Sequence, residues 1–226
     1  MSSERIIEGY TLGVFQANTY ILAARAGNGA VVIDPGQDAD ALIAERLEAN
    51  GLSLEAVLLT HGHIDHIWTA GPVADAAGVP AFIHPDDGWL LKDPGSALGA
   101  MGLPKWQVDI PSDLRSLADG DVLEFAGLRI EVRHTPGHTP GHCVFLTDGL
   151  LFSGDLIFQG SIGRTDFPRG SLDDLMRSIR DVVLPQDDEV VLLPGHMGQT
   201  TVGRERRTNP FVLADARGDL PKILGL

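Results

Sequence analysis

Short apolar segments rich in Val, Ile and Leu recur along this chain, and patterns typical of amphipathic helices separate several of them. These segments predict nine β-strands, at Asn18–Ala23, Ala30–Asp34, Ala56–Thr60, Ala81–His84, Val122–Phe125, Leu128–His134, Cys143–Thr147, Leu150–Ser153 and Val190–Pro194. Helical spacing predicts three helices, at Asp38–Asn50, Ile64–Ala77 and Ser171–Val183. Strands that alternate with helices indicate a layered α/β fold. The stretch Pro94–Asp119 has weak periodicity and is predicted to be rich in loops.

The bulk properties of the chain exclude several classes of protein. Of the 226 residues, 43% are hydrophobic, which is enough for a core. No apolar run approaches the roughly 18 residues of a membrane span, and the N-terminal segment lacks the features of a signal peptide, so we expect a cytoplasmic protein. The single cysteine, Cys143, excludes an internal disulfide and a cysteine-based zinc site. A net charge of −14 argues against nucleic acid as a partner.

The densest group of metal-binding side chains is the run HGHIDH at residues 61–66, between a predicted strand and a predicted helix. Three of the eight histidines of the chain fall within these six residues. Imidazole and carboxylate groups are preferred ligands of zinc and acceptable ligands of iron or manganese. Gly62 gives the backbone freedom to turn inside the run. The pattern therefore predicts a metal site rather than a polar turn that caps a helix.

Three later segments share one pattern, in which an apolar strand leads through a small-residue turn to a metal-binding side chain. The side chains concerned are His138, Asp155 and His196. Ligands of open α/β sheets collect at the carboxyl ends of strands, so we expect these side chains and the 61–66 run at one sheet edge. Each of these three turns alone is compatible with ordinary loop structure, but together with the 61–66 run they predict a shared site.

This set of residues resembles the metallo-β-lactamase superfamily, whose hallmark HxHxDH is followed by a later His, Asp and His. The resemblance extends from about Asn18 to Pro210. It implies a single domain over residues 1–226, an αββα sandwich of two mixed sheets flanked by helices, with a short C-terminal helical tail from about residue 203. It also implies two divalent metal ions, with zinc as first choice and iron or manganese as alternatives. The first ion would be bound by His61, His63 and His138, the second by Asp65, His66 and His196, and Asp155 would bridge both.

Four more polar side chains are candidates for supporting roles. Asp34 resembles the family's early aspartate, which supports the metal-binding loops and is not usually a ligand. His142 is either a hydrogen-bond donor behind the ligands or a packing residue. We interpret His84 and His134 as structural.

Local motifs narrow the substrate class. The run HTPGHTPGH at residues 134–142 and the run FQGSIGRTDFP at residues 158–168 resemble the glyoxalase II group, and RERRTNPF at residues 204–211 resembles its short form. Glyoxalase II hydrolyses S-acyl glutathione thioesters, S-lactoylglutathione especially, so the resemblance implies a small-molecule thioester as substrate. The residues that follow His196 are too few for the helical glutathione-binding domain of the long form.

Five charged side chains are candidates for substrate binding. Arg204, Arg206 and Arg207 would either meet the carboxylates of a thiol carrier or form a solvated face. Arg164 and Asp166 would form an ion pair, which either fixes the GRTDF loop beside the pocket or is purely structural.

We expect a catalytic role for Asp65, which would orient the metal-activated nucleophile and take its proton. The alternative is a mononuclear iron persulfide dioxygenase of the same fold, whose relatives also carry GRTDF. That enzyme would use His61, His138 and Asp155. The complete second ligand set, which adds His66 and His196 to Asp65, favours hydrolysis.

Overall fold

The computed structural model describes residues 5–97 and 106–220, and most strands of this part belong to two facing six-stranded sheets. The first sheet runs in chain order, with β1 Ile6–Leu12, β2 Ala17–Ala23, β3 Gly29–Ile33, β4 Ser53–Leu58, β5 Ala81–Ile83 and β6 Leu114–Ser116. Strands β1 to β3 pair antiparallel, whereas β3 to β6 pair parallel. Strands β1 and β6 were not predicted; β1 is an edge strand whose apolar pattern is interrupted by polar residues and Gly9.

The second sheet has the order β14-β13-β10-β9-β8-β7. Its strands are β7 Val122–Phe125, β8 Leu128–His134, β9 Cys143–Thr147, β10 Leu150–Gly154, β13 Val191–Pro194 and β14 Thr200–Thr201. A separate hairpin, β11 Ile157–Phe158 and β12 Ser161–Ile162, follows β10. Because β13 is parallel to β10 and the β8–β9–β10 pairs are antiparallel, strands β8, β10 and β13 end at the same edge.

The two sheets pack face to face, and alternate residues of each strand face different layers, as the two-residue period of a strand requires. In β2, Tyr20 and Leu22 belong to the core between the sheets, which also contains Phe145 and Phe152. The rings of Tyr20 and Phe152 meet edge to face with centroids 5.3 Å apart. The intervening Ile21 faces the opposite way, into a second apolar cluster under the helices.

Helices cover the outer face of each sheet and confirm the predicted αββα sandwich. On the first sheet, α1 Ala39–Asn50 and α3 Ala70–Ala77 contribute Ile43 and Val73 to the core. On the second sheet, α5 Leu172–Ser178 and α7 Pro210–Arg217 contribute Leu175, Met176 and Val212. The remaining helical segments are α2 Ile64–Ile67, α4 Gly88–Lys92, α6 Val202–Thr208, the 3₁₀ turns Pro85–Asp87 and Pro94–Ala97, and the π-helical turn Ile179–Val183.

The predicted helix Ile64–Ala77 is in fact two helices, α2 and α3. Pro72 has no amide hydrogen to pair with the carbonyl of Trp68, so one continuous helix would lose a hydrogen bond there. Instead, the hydroxyl of Thr69 donates to the carbonyls of Pro35 and Gly36, at 3.2 and 3.0 Å, and fixes the break.

The prediction of a loop-rich stretch over Pro94–Asp119 falls partly on residues 98–105, which lie outside the described residues. The described remainder contains only the 3₁₀ turn and the short strand β6. Within the two described ranges, no helix has the length and apolar character needed to cross a membrane.

Candidate metal centre

Six of the seven predicted ligands form two compact groups of three. Within each group, the candidate ligand atoms all lie within 4.8 Å of one another. The first group is His61, His63 and His138, and the second is Asp65, His66 and His196. These are the two sets that the family resemblance implies for two metal ions.

The seventh predicted ligand, Asp155, lies between the two groups. Its Oδ2 is 3.5 Å from Nε2 of His138 and 3.6 Å from Nε2 of His196. Its Oδ1 is 3.5 Å from Nε2 of His66. One carboxylate therefore faces both groups, as a bridging ligand would.

The loops that carry these residues come from both sheets rather than from one sheet edge, which corrects the expectation from the sequence. His138, Asp155 and His196 follow β8, β10 and β13 of the second sheet, whereas the 61–66 run follows β4 of the first. The backbone amide of Cys143 donates to the carbonyl of Thr60 at 2.7 Å and joins the two sheets at this point. The backbone at Gly195 passes so close to Asp155 that a Cβ there would collide with its carboxylate.

Three buried polar atoms in this centre have no hydrogen-bond partner: Nε2 of His61, Nε2 of His66 and Oδ1 of Asp155. A buried polar atom without a partner is costly, so native proteins rarely contain several together. All three atoms are good ligands of divalent cations and point into the same centre. The donor set therefore fits divalent metal ions.

Most of the histidines in the centre are oriented through their second ring nitrogen. Nδ1 of His138 donates to the carbonyl of Arg164 at 2.7 Å, and Nδ1 of His196 donates to the carbonyl of Gln16 at 3.1 Å. Nδ1 of His61 lies 3.0 Å from the hydroxyl of Thr60. Such contacts fix the ring and leave Nε2 free for a metal ion.

His63 differs from the others, because its Nδ1 faces the centre and lies 2.8 Å from Nε2 of His138. Burial, followed by the positive charge of neighbouring histidines, holds the pKa of both His61 and His63 well below the ordinary value. Both rings are therefore neutral near pH 7, which is the form that binds a metal ion.

The charges in the second group are balanced differently. Burial alone would lower the pKa of His66, but the carboxylates of Asp65, Asp155 and Asp34 raise it to about 10. Burial would raise the pKa of Asp65, but His66 and His196 lower it below its usual range. Without a metal ion, a proton on His66 therefore offsets part of the negative charge, and a metal ion would displace that proton.

Two further side chains support the ligands from behind. Asp34, at the end of β3, accepts hydrogen bonds from the amide and the hydroxyl of Thr60, at 2.7 and 2.6 Å. Nε2 of His142 accepts a hydrogen bond of 3.1 Å from the amide of Asp155. His134 contacts the carbonyl of Pro140 and stacks on His84, with ring centroids 4.1 Å apart.

Asp87 is a supporting residue that sequence reasoning missed. Its carboxylate is completely buried and accepts hydrogen bonds from the amide of Gly62 at 2.9 Å, the hydroxyl of Thr139 at 2.6 Å and the amide of Gly141 at 2.7 Å. Burial raises the pKa of Asp87 in spite of these three donors. The PDDG sequence around Asp87 is typical of a turn. The residues that donate hydrogen bonds to its carboxylate are remote in the chain, so no local pattern indicates its supporting role.

A cavity of about 530 Å³ opens beside the centre. Its described lining includes five of the proposed ligands, together with Ser161 and Arg164. The rest of the described lining is apolar and consists of Phe15, Ile64, Pro94, Phe158, Ile162, Phe167 and Met197. A cavity of this size falls in the range of roughly 300–1,000 Å³ typical of small-molecule sites.

Arg164 and Asp166 form the predicted ion pair, with two hydrogen bonds of 2.7 Å between guanidinium and carboxylate. The guanidinium of Arg164 also lies over the ring of Phe167, 3.8 Å from its centroid. Arg164 lines the cavity, whereas Asp166 is not among its lining residues. The pair therefore forms within the GRTDF loop beside the cavity, and a role in fixing that loop stays a prediction.

The three arginines of the C-terminal tail lie on α6, and none of them is among the residues lining this cavity. Arg206 and Arg207 both form ion pairs with Asp188, and Arg206 also donates to the carbonyls of Leu184 and Gln186. Arg204 faces the side-chain amide of Gln159. Both alternatives for these arginines, contact with a carrier's carboxylates and a solvated face, stay predictions.

Comparison with known proteins identifies the family. Residues 12–196 match the model of the metallo-β-lactamase superfamily. The chain is 39% identical over 209 residues to the hydroxyacylglutathione hydrolase GloC of Haemophilus influenzae, with 91% of this chain and 97% of the relative covered.

Two solved structures are similar along nearly their whole length. The BLEG-1 B3 metallo-β-lactamase superposes with a TM-score of 0.82 at 36% identity, covering 92% of this chain and 99% of that one. TTHA1623 in a di-iron-bound form superposes with a TM-score of 0.78 at 38% identity, covering 90% of this chain and 99% of that one. Together with the match to the family model, these likenesses show that the chain belongs to the metallo-β-lactamase superfamily.

Proposed function

We propose that this protein is a metal-dependent thioester hydrolase of the glyoxalase II type, with S-lactoylglutathione or a related S-acyl thiol conjugate as substrate. The observation that carries the proposal is the complete pair of ligand groups with Asp155 between them. The similarity to a relative named hydroxyacylglutathione hydrolase and the GRTDF loop beside the cavity support the same class of reaction.

The proposed ligands form two sets, one for each metal ion. His61, His63 and His138 would hold one ion, Asp65, His66 and His196 the other, and Asp155 both. When bound, two divalent ions supply a hydroxide near neutral pH and positive charge for the oxyanion of the reacting carbonyl. Zinc is the first choice, and the di-iron-bound form of a relative makes iron the second.

Within this proposal, Asp65 takes the proton of the nucleophile. Its carboxylate lies 3.3 Å from Nε2 of His196 and lines the cavity, so it reaches both the centre and the substrate side. In this role it would orient the attacking water and accept one proton from it, which leaves hydroxide as the nucleophile. The leaving thiol has a pKa of about 8.5, so it departs as a thiolate with little help from a general acid.

The proposal is tested by assaying one preparation on several substrates. Metal-free protein is prepared with a chelator and then reloaded with zinc or iron. We expect hydrolysis of S-lactoylglutathione by the reloaded protein and none by the metal-free protein. Because one relative is a B3 metallo-β-lactamase, a β-lactam is assayed in parallel. Cleavage of the β-lactam without cleavage of any thioester would contradict the proposal.

A further inference from the structure

The cavity beside the metal centre has apolar walls that begin at the proposed ligands themselves. The ring of Phe167 meets that of His63 with centroids 5.3 Å apart, and the ring of Phe158 meets that of His196 at 6.1 Å. At the outer end lies Met197, which is 60% exposed. In a bound thioester, a group attached to the carbonyl carbon or to the sulfur would therefore lie along apolar surface.

Charged side chains are scarce along this path. Among the described lining residues, Arg164 is the one charged side chain apart from the proposed ligands. Its guanidinium already pairs with Asp166 and stacks on Phe167, so a substrate carboxylate would compete with an existing ion pair. The net charge of −14 adds long-range repulsion of anionic substrates.

We propose that, within the proposed thioester hydrolase function, the cavity selects thioesters that carry an extended apolar group over S-lactoylglutathione. The apolar group is either the acyl chain or the thiol carrier, since the carbonyl carbon is bonded directly to the acyl chain and to the sulfur of the carrier, and an apolar group on either side makes the same kind of contact. Each methylene that enters such a cavity leaves water and gains about 0.8 kcal/mol, which corresponds to about fourfold in kcat/KM.

Two series of substrates distinguish the sources of the apolar group. The first series keeps glutathione and compares propionyl, butyryl and hexanoyl thioesters, with the lactoyl thioester as the reference. The second keeps lactoyl and compares the thioesters of ethanethiol, butanethiol and hexanethiol. We expect kcat/KM to rise by about fourfold per methylene in at least one series. A flat or falling kcat/KM in both series, with S-lactoylglutathione still hydrolysed, would overturn the inference and leave the proposed function intact.

Binding without turnover separates this inference from the proposed function. S-Methylglutathione and S-hexylglutathione are thioethers that cannot be hydrolysed, and calorimetry gives their affinities directly. Tighter binding of the hexyl compound supports the apolar site even if no thioester is cleaved. Equal binding rules out the acyl chain as the apolar group, and equal binding together with a flat thiol series would overturn the inference.

Variants at the mouth of the cavity locate the effect. Met197→Ser should flatten the dependence of kcat/KM on chain length, because Met197 lines the outer wall. Val14→Ser is the matched control, since Val14 is 73% exposed and is not among the lining residues. An unchanged dependence in Met197→Ser, or the same loss in both variants, would place the apolar contact elsewhere and contradict the inference.

A second inference comes from Asp87, independently of the cavity. Gly62 lies between His61 and His63, and Thr139 follows His138, so one buried carboxylate binds the backbone or side chains of both loops. These loops extend from β4 and β8, which belong to different sheets. The distance between these two loops determines the relative positions of the three histidines of the first group.

The geometry points to Asp87 as a positioning residue for the first metal ion, given the ligands proposed above. Two donors share Oδ2 and the third uses Oδ1. An asparagine in this place offers one oxygen and one amide group, so one of the three donors would face another donor. The loops would then separate without the loss of any ligand.

The test measures metal affinity in the folded protein. We expect Asp87→Asn to weaken binding of the first ion by about 10- to 100-fold in competition with a chelator, with a native circular dichroism spectrum. Thr139→Val removes a single donor and should give a smaller loss, while Thr139→Ser should restore the wild-type affinity. The two Thr139 variants test the inference even if Asp87→Asn does not fold.

Glu205 provides a matched control. It is also completely buried and accepts hydrogen bonds from three donors, the amide of Gly160, the hydroxyl of Thr200 and the side chain of Asn209. Glu205→Gln should lower the melting temperature without changing metal affinity. Wild-type affinity in folded Asp87→Asn and Thr139→Val, or an equal loss of affinity in Glu205→Gln, would overturn the inference.

Discussion

Nδ1 of His66 lies 3.0 Å from Oδ2 of Asp34, and both side chains are almost completely buried. The same carboxylate binds the amide and the hydroxyl of Thr60, directly before the 61–66 run. Asp34 therefore fixes the orientation of one proposed ligand and the start of the loop that carries four of them. This is the supporting role that the family resemblance implies for the early aspartate.

The first prediction concerns this contact. Asp34→Asn should weaken binding of the second metal ion by about 10- to 100-fold, because the His66 ring loses its anionic partner. Competition with a chelator measures the affinity. Asp40→Asn, an exposed change on the adjacent helix α1, serves as the control and should bind both ions normally. Equal affinities in the Asp34 variant and the wild type would show that His66 is held by packing alone.

The second prediction concerns the proton of the nucleophile. Asp65→Asn should lower kcat for thioester hydrolysis by about 100-fold or more, because the amide neither accepts a proton nor carries the charge of the carboxylate. The fold should survive, since the side chain lies at the surface of the cavity rather than in the core. Steady-state kinetics at saturating metal tests this. Near-normal turnover would remove Asp65 from the mechanism.

The third prediction concerns the pH dependence of stability. Arg46, together with Tyr10 and Asn50, holds the pKa of Glu8 at about 2 against the opposing effect of burial. A depressed carboxyl pKa stabilises the fold fully above the unfolded value of 4.5 and is lost as the pH falls through the folded value. Glu8→Gln should therefore cost about 1 kcal/mol at neutral pH, and the cost should shrink as the pH falls from 4.5 toward 2.

Urea unfolding of metal-free wild type and variant at several pH values measures this difference without a contribution from metal release. Glu48→Gln, an exposed change on the same helix as Arg46, should show no such pH dependence. A Glu8 variant whose deficit stays constant down to low pH would assign its effect to packing rather than to charge.

The fourth prediction concerns the C-terminal arginines. Arg206 binds Asp188 and the carbonyls of Leu184 and Gln186, so Arg206→Ala should lower the free energy of unfolding by about 1 kcal/mol. The KM for S-lactoylglutathione should change little, because the side chain is already engaged away from the cavity lining. Unfolding and steady-state kinetics of the same variant test both parts. A raised KM with unchanged stability would instead support binding of the carrier's carboxylates.

The sequence indicates the proposed ligands more directly than it indicates the residues that position them. All seven proposed ligands are His or Asp, which are residue types that commonly bind metal ions, and they follow strand-like segments, so the sequence pattern alone indicates them. It does not show that β4 lies in a different sheet from β8, since strand order depends on contacts between distant residues. The supporting role of Asp87 cannot be predicted from the sequence for the same reason, because the groups that donate hydrogen bonds to it come from loops far along the chain.

The last prediction decides between the hydrolase and the persulfide dioxygenase. His66 and Asp65 hold only the second metal ion in the proposed hydrolase, whereas a mononuclear dioxygenase would use His61, His138 and Asp155. Nε2 of His66 is buried without a hydrogen-bond partner and lies 3.5 Å from Asp155, as a ligand of a second ion should.

We expect zinc-loaded wild type to hydrolyse S-lactoylglutathione and His66→Ala to lose that activity by about 100-fold or more. Oxygen uptake with glutathione persulfide should be negligible, even in the iron-loaded form. His84→Ala is the control, because His84 belongs to neither ligand group and should leave hydrolysis intact. The two reactions differ in their need for the second ion, so one variant separates them. Robust oxygen uptake that survives His66→Ala, with no thioester hydrolysis in the wild type, would replace the hydrolase with the dioxygenase on the same fold.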